Sequence, residues 1–309
     1  MSRCMITGEK FDEGGDYSRR GLQLLDRRLA ALAPLPYSAA EQRQEAIERA
    51  GKMSVQGIQP KISAVLNIPG GRFDVVDSGG KFILKPPSAD FAELPENEDL
   101  TMRLAASVGI ETPLHGLLRA GDGSLTYFIR RFDREKKQRI PVEDFAQLSN
   151  ASRDTKYESS MENIATVVER YCTFPALERI KLFSQALFSF LAGNEDMHLK
   201  NFSLITRREV TSLSPAYDLV NSTIVLKRAK EEMALPIRGK KSGITHNDLI
   251  RYFGGERLKL SPEQLTEIIT RFATDLPRWG ELIEASFLSP EMKNAYTEVI
   301  RQRWERLSG

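Results

Sequence analysis

Between residues 178 and 194 apolar side chains recur at helical spacing, with Ile180, Phe183, Leu187, Phe190 and Leu191 as the frame and further apolar residues between them. A helix apolar on most of its surface is a buried one, and Gly193-Asn194 supplies its stop signal. The chain then turns polar through Asp196-Met197-His198-Leu199-Lys200-Asn201, resumes as a short apolar run at Phe202–Ile205, and becomes apolar again at Leu219-Val220 after Pro215 and Tyr217-Asp218. The predicted order is helix, polar loop, strand, strand, aspartate.

The first half of the chain alternates on a shorter period. Ile62–Leu66 reads as a strand, and Arg72–Val76, Asp77-Ser78-Gly79-Gly80 and Lys81–Lys85 read as strand, tight turn and strand, a hairpin. Glu93 to Val108 predicts a helix with acids in its first turn, where the helix dipole favours them. Leu125–Asp133 predicts a strand that runs into a polar segment. Ser38-Ala39-Ala40-Glu41 is a capping box ahead of a helix ending near Ala50, and the residues before position 50 read as mostly helical. Gln147–Ser160 is polar and predicts a mobile loop. Ser261-Pro262-Glu263 and Ser289-Pro290-Glu291 place a serine cap before a first-turn proline, so the C-terminal segment is predicted helical. Together these elements predict an α+β fold of two lobes. The smaller, residues 1–132, is mixed α/β; a hinge lies near Arg131–Asp133; the larger, residues 133–309, is mainly helical.

Composition narrows the function classes only slightly. The 309 residues suffice for two lobes with ample core. With 44 Lys and Arg against 42 Asp and Glu there is no basic tail that announces nucleic acid, and clusters such as Arg130-Arg131 and Lys136-Lys137 read as solvated or phosphate-facing. The two cysteines, Cys4 and Cys172, and the scattered His115, His198 and His246 form no zinc or redox spacing. No apolar run is long enough to span a bilayer and no signal peptide is evident, which predicts a cytoplasmic protein without a membrane partner.

The candidate chemistry lies in the polar loop. Asp196 is followed by an amide at Asn201 and by a second carboxylate at Asp218. Phosphoryl transfer from ATP uses such a set: one aspartate to accept the proton of the attacking hydroxyl, and two oxygen ligands to hold Mg²⁺ against the phosphates. Upstream, Met53 to Lys61 is a segment with a single glycine leading into a strand; it has neither the G-x-x-x-x-G-K-S/T nor the G-x-G-x-x-G spacing. Lys85 alone reads as a solvated strand end. Its place between that segment and the acidic helix assigns it instead to nucleotide phosphates, with Glu98 either orienting it or serving the helix dipole. The polar loop 147–160 is expected near the mouth of the site.

The motifs S-V-Q-G-I-Q-P-K over 54–61, F-I-L-K-P over 82–86, F-I-R-R-F-D-R over 128–134, E-D-F-A-Q over 143–147, G-N-E-D-M-H-L-K-N-F-S over 193–203 and A-Y-D over 216–218 resemble the HipA family of toxin serine/threonine kinases. The resemblance covers roughly residues 50–250 in motif order. It implies a two-lobed kinase of the phosphoinositide-3-kinase-like branch that uses ATP and Mg²⁺, phosphorylates bacterial proteins, notably aminoacyl-tRNA synthetases, and is restrained by antitoxin partners. Carried over, Asp196 is the catalytic aspartate, Asn201 and Asp218 are the metal ligands, and Lys85 is the nucleotide-contacting lysine. Gln56, Gly57, Ile58, Gln59, Pro60 and Lys61 form the phosphate-side loop, and Arg130, Arg131 and Phe132 the hinge. His198, Lys200 and Tyr217 join the nucleotide side through their motifs. Ser54 matches the family's autophosphorylated serine, and a phosphate there, with nearly two negative charges, would repel those of ATP.

The resemblance has limits. Full-length members carry a subdomain of strands ahead of the glycine-containing loop, where this chain has a short segment. It is more similar to the short HipT-type kinases, in which a separate small protein takes that place and DNA is contacted through an antitoxin. Related short kinases can have a second serine where this chain has Gln56. Two other classes share parts of the pattern: a small-molecule phosphotransferase with the same Asp/Asn/Asp set, and a catalytically silent module that binds its antitoxin.

Overall fold

A computed structural model describes residues 2–49, 60–136, 138–152, 154–226 and 231–308. Ser54 and Gln56 to Gln59 lie outside the described residues, so the candidate autophosphorylation site and most of the phosphate-side loop have no structural account; Pro60 and Lys61 lie inside them. The chain divides into two compact units. The first comprises Met1–Leu100, Pro113–Arg131 and Ala285–Phe287, and the second Thr101–Thr112, Phe132–Glu284 and Leu288–Gly309.

The first unit begins with a small antiparallel pair, β1 (Ser2–Arg3) and β2 (Lys10–Phe11), followed by α1 (Arg19–Leu25) and α2 (Ala39–Arg49). The opening segment is therefore not mostly helical. Gly8, Gly14 and Gly15 sit at positive φ and Pro34 and Pro36 interrupt the chain, so only the two stretches between these breakers can wind. The capping box is formed: Glu41 Oε2 accepts from Ser38 N (2.7 Å), and Ser38 Oγ accepts from Glu41 N (3.3 Å).

An antiparallel sheet in the order β4-β3-β5-β7-β6 carries the unit, built from β3 (Ile62–Asn67), β4 (Arg72–Val75), β5 (Phe82–Lys85), β6 (His115–Arg119) and β7 (Leu125–Arg130). β4 and β5 are not hairpin partners: both pair with β3, on opposite edges, through Ala64↔Val75 and Ala64↔Phe82. The tight turn is 68–71, and the two-glycine segment instead crosses beside β3. Gly80 makes that crossing possible. A Cβ there would stand 2.0 Å from Ser63 Oγ and 2.9 Å from Ala64 N. Ile62, Ala64, Phe73, Phe82, Leu84 and Phe128 face the core with Leu22, Leu25 and Leu29 from the first part of the chain. Phe73 and Phe82 meet edge to face at 5.0 Å, a favoured ring geometry. The helix α3 spans Leu94–Ser107, close to its predicted range.

The second unit holds short strands β8 (Arg134–Glu135) and β9 (Gln138–Arg139), then β10 (Val142–Asp144), α4 (Phe145–Leu148), α5 (Met161–Tyr171) and α6 (Pro175–Leu191). β11 (Ser203–Arg207), β12 (Val210–Leu213), α7 (Ser222–Val225), α8 (Pro262–Ala285) and α9 (Pro290–Ser308) complete it, with a π-helical stretch over Asn247–Arg257 that periodicity does not predict. α6 is buried on nearly every side, as its pattern requires. Phe188 packs edge-on against Trp279 at 5.6 Å, whose indole N–H donates to Ser107 Oγ (3.0 Å). A three-stranded sheet, β10-β11-β12, flanks the polar loop after α6. No helix of the described residues is long and apolar enough to cross a membrane.

Gly80→Ala will destabilise the first unit by about 1–3 kcal/mol, because the added carbon meets backbone of β3 that cannot rotate away. A lowered urea midpoint at unchanged slope checks this; an unchanged midpoint would contradict the crossing.

Candidate functional site

The polar loop is fixed at both ends by chemistry the sequence supplies locally. α6 ends at Gly193, whose φ of +75° suits glycine and whose missing Cβ leaves room for Asn221, since a Cβ would lie 2.4 Å from Asn221 Oδ1. The next residue, Asn194, is buried, and its Oδ1 accepts from the backbone N–H of Asp196 (3.2 Å). Asn201 closes the turn by donating from Nδ2 to the Asp196 carbonyl (2.8 Å). That bond commits the amide nitrogen and leaves the amide oxygen, the atom a hard cation takes. Asp196 itself has a side chain 55% exposed, whereas Asn194, His198 and Asn201 of the same loop are buried.

Glu195 anchors the loop from the other side. Its backbone N–H donates to Ser222 Oγ (2.7 Å), and its carboxylate meets Arg303 Nη2 of α9 (3.1 Å) and Thr223 Oγ1. Arg303 also donates to the Phe190 carbonyl at the end of α6 (2.5 Å) and to Thr223 Oγ1 (3.0 Å). Both side chains of this ion pair are only 6% exposed. Burial pushes the Glu195 carboxyl up and the Arg303 guanidinium down, with their mutual attraction opposing each shift.

Asp218 adopts φ +59°, the left-handed region that aspartate tolerates better than most residues. Such backbone conformations concentrate at functional positions. Its neighbours hold it there. Tyr217 donates to the Lys200 carbonyl (2.9 Å), shares a hydrogen bond with Ser203 Oγ (2.5 Å), and lies against the Phe132 ring at 5.5 Å. Ala216 N donates to the Glu111 carbonyl (2.8 Å). Burial pushes the Tyr217 phenol well above its ordinary range, so it remains a hydrogen-bond donor.

Among the described residues there is no group of three or more His, Cys, Asp and Glu arranged to hold a metal ion. The donors that Asn201 and Asp218 offer are two oxygens. That set fits Mg²⁺, which binds through one or two protein oxygens and keeps water and phosphate as its other ligands.

His198 is buried beside the loop. Lys156 Nζ donates to its Nε2 (2.7 Å), which makes the imidazole neutral, while its Nδ1 is buried without a partner. Burial holds its pKa below the ordinary histidine value, against the opposing pull of Asp196. Lys200 pairs with Asp144 at 2.8 Å and ties the loop to the start of α4. Asp144 also caps that helix through a capping box with Gln147.

In the first unit Lys85 and Glu98 form a buried ion pair, with side chains 5% and 0% exposed. The alternative of Glu98 as a mere dipole charge is thereby corrected. Asp99, one residue on, meets His115 Nδ1 at 3.1 Å. Glu96 sits in the same acidic turn, where burial first, and then Glu93 and Asp99, raise its carboxyl from 4.5 to about 7. Arg130 is occupied elsewhere: its guanidinium donates to the carbonyls of Leu24 (3.0 Å) and Leu25 (2.7 Å) at the end of α1. Arg131 N donates to the Lys81 carbonyl (2.8 Å), and the Phe132 carbonyl accepts from Arg207 (3.3 Å).

Two described residues of the polar segment 147–160 reach the candidate site. Lys156 is buried against His198, and the Tyr157 hydroxyl donates to Asp196 Oδ1. Sequence reasoning missed Lys156, Tyr157 and Arg303 because neither periodicity nor a local motif marks them, and it passed over Glu195, which stands within the 193–203 motif, because its partner Arg303 is 108 positions away. The only signal was a polar segment expected near the site.

Comparison with known proteins gives the family and the fold. The family model of the HipA-like C-terminal domain matches residues 53–279. A Haemophilus influenzae protein named "Putative kinase" is 30% identical over 251 residues, spanning 74% of this chain and 70% of that protein. The Shewanella oneidensis protein named serine/threonine-protein kinase toxin HipA is 26% identical over 250 residues, 74% of this chain but 56% of that one. Among solved structures, the Shewanella oneidensis MR-1 toxin–antitoxin complex of HipA, HipB and operator DNA superposes with a TM-score of 0.71 at 24% identity, over 91% of this chain and 74% of that chain. The fold is thus the mixed α/β architecture of the HipA-like kinases. The chain belongs to the HipA-like C-terminal domain family.

Two measurements test these assignments. Arg303→Met strands the buried Glu195 carboxylate and will cost about 3–5 kcal/mol in urea unfolding, while adding Glu195→Gln to it will recover part of that loss. Glu96 holds its proton more tightly folded than unfolded, so its contribution is present below pH 4.5 and is lost as pH rises through about 7. The thermal midpoint of Glu96→Gln minus that of the parent will therefore grow between about pH 5 and about pH 8. A constant difference would contradict the assignment.

Proposed function

We propose that this chain is an ATP- and Mg²⁺-dependent kinase that transfers the γ-phosphoryl group to a serine or threonine hydroxyl of a protein. One observation carries the reading: Asn201 Nδ2 is bonded to the carbonyl of Asp196, which sets a base and a metal-facing oxygen on one rigid turn. An exposed carboxylate on a held loop can meet a macromolecular hydroxyl, and holding it still is most of what this chemistry asks of a protein. Asp196 orients the acceptor hydroxyl and takes its proton. Asn201 and Asp218 present their oxygens to the cation, and the Lys85 ammonium, oriented by Glu98, attracts the phosphates. Mg²⁺, when bound, neutralises charge on the transferring phosphoryl group.

Kinship to proteins named HipA supports the finer reading: a toxin of a toxin–antitoxin system, cytoplasmic, with an aminoacyl-tRNA synthetase as substrate and Ser54 as an autophosphorylation site. Its partners would be antitoxin proteins, including a small separate protein and a DNA-binding one. The two buried free cysteines suit a reducing compartment.

Asp196→Asn will reduce phosphoryl transfer to protein by about 10²–10⁴-fold, the usual contribution of a general base, with nucleotide affinity retained. Incubating parent and variant with lysate and labelled ATP·Mg²⁺ checks this. Label appearing on a metabolite and never on protein would overturn the substrate class.

A further inference from the structure

Tyr157 has no part in the reading above, yet its hydroxyl is bonded to Asp196 Oδ1. It is not there by chance of an unrestrained side chain. Its ring meets His198 edge-on at 5.0 Å. Lys156, its neighbour, is buried with its ammonium on His198 Nε2 (2.7 Å) and 4.8 Å from the centre of the Tyr157 ring. The Lys156 carbonyl accepts from Leu199 N (3.3 Å), so backbone and side chains of 156–157 are both tied to the 196–201 turn.

The bond Tyr157 makes has the chemistry of the bond an acceptor must make. A base that takes a proton from an alcohol first accepts an O–H···O hydrogen bond from it. The Tyr157 phenol is such an O–H, and burial followed by the Asp196 carboxylate holds it protonated. With the phenol in place, one acceptor direction of that oxygen is filled on a carboxylate whose side chain is 55% exposed.

We infer that Tyr157 is a specificity-determining residue that caps the acceptor position of Asp196, excluding water until a substrate hydroxyl displaces the phenol. The inference rests on Asp196 being the base of the proposed kinase. Without the cap, water takes the acceptor's place. Its oxygen bonds to the γ-phosphorus, the bond from that phosphorus to the β–γ bridging oxygen breaks, ADP leaves with the electron pair, and the water proton passes to Asp196 and on to solvent.

Tyr157→Phe deletes the hydroxyl and keeps the ring on His198. The test follows ADP release by the full chain with ATP·Mg²⁺ and no protein substrate, for the parent, Tyr157→Phe, and Tyr157→Phe with Asp196→Asn. Displacement of a fluorescent ATP analogue is measured in parallel. ADP release will rise about tenfold in Tyr157→Phe, the size expected from loss of one hydrogen bond to a charged group, and will fall again in the double variant at unchanged nucleotide affinity. Unchanged or lower ADP release with ATP bound overturns the cap, as does a rise that survives Asp196→Asn. A parent that binds no ATP removes the kinase reading itself, and the inference with it.

Discussion

Arg303 is the constraint on which the second unit's site depends. It reaches from the last helix to the end of α6, to Thr223, and to Glu195, the residue before Asp196. A buried ion pair of this kind adds little net stability over a well-packed apolar replacement, yet losing one partner is costly. Its effect here is to leave one arrangement of the turn. Asn194 beneath Asp196 and the Asn201 amide on the Asp196 carbonyl then fix the backbone, so an exposed carboxylate stands on a turn that does not move with it. Fixing such groups in advance supplies much of the rate in reactions where positioning and charge stabilisation dominate.

The first unit applies the same logic to a cation. Lys85 ends a strand at the centre of a sheet, and Glu98 enters from an acidic helical turn to pair with it away from water. Asp99 on His115 anchors the same turn to β6. Glu96 is the residue this crowding affects most: burial and two neighbouring acids, Glu93 and Asp99, make its ionised form unfavourable near neutrality. A paired lysine held in this way is a directed positive charge, which a solvated lysine on a flexible stem is not.

Much of the fold was legible in the residues. The buried helix, its glycine stop, both serine–proline helix starts and four of the five strands of the central sheet follow from period and punctuation, because each is decided by neighbours within a few positions; β6 was not read. The errors have a common cause. Pairing β4 with β5 looked local, but Gly80 serves close approach to β3, and the contact is set by a strand that precedes both. The opening segment has helix-forming composition, but glycines and prolines divide it. In the candidate site, the spacing of Asp196, Asn201 and Asp218 marked the polar loop as the place to look, and the structure joins the first two in one turn. Tyr157, Glu195 and Arg303 were not legible, since long-range contacts across 39 and 108 positions leave no pattern in the sequence.

Membership of the HipA-like C-terminal domain family and a set of oxygen donors suited to a magnesium nucleotide are independent lines, one from ancestry and one from geometry. Asp218, in left-handed backbone at φ +59°, lies within the span that the family model matches. The most direct measurement is calorimetric titration of ATP into the chain with and without Mg²⁺, for the parent and Asp218→Asn. The account predicts ATP binding that Mg²⁺ strengthens in the parent and fails to strengthen in the variant. Equal enhancement by Mg²⁺ in both proteins would show that Asp218 does not hold the cation, and would contradict the site as described.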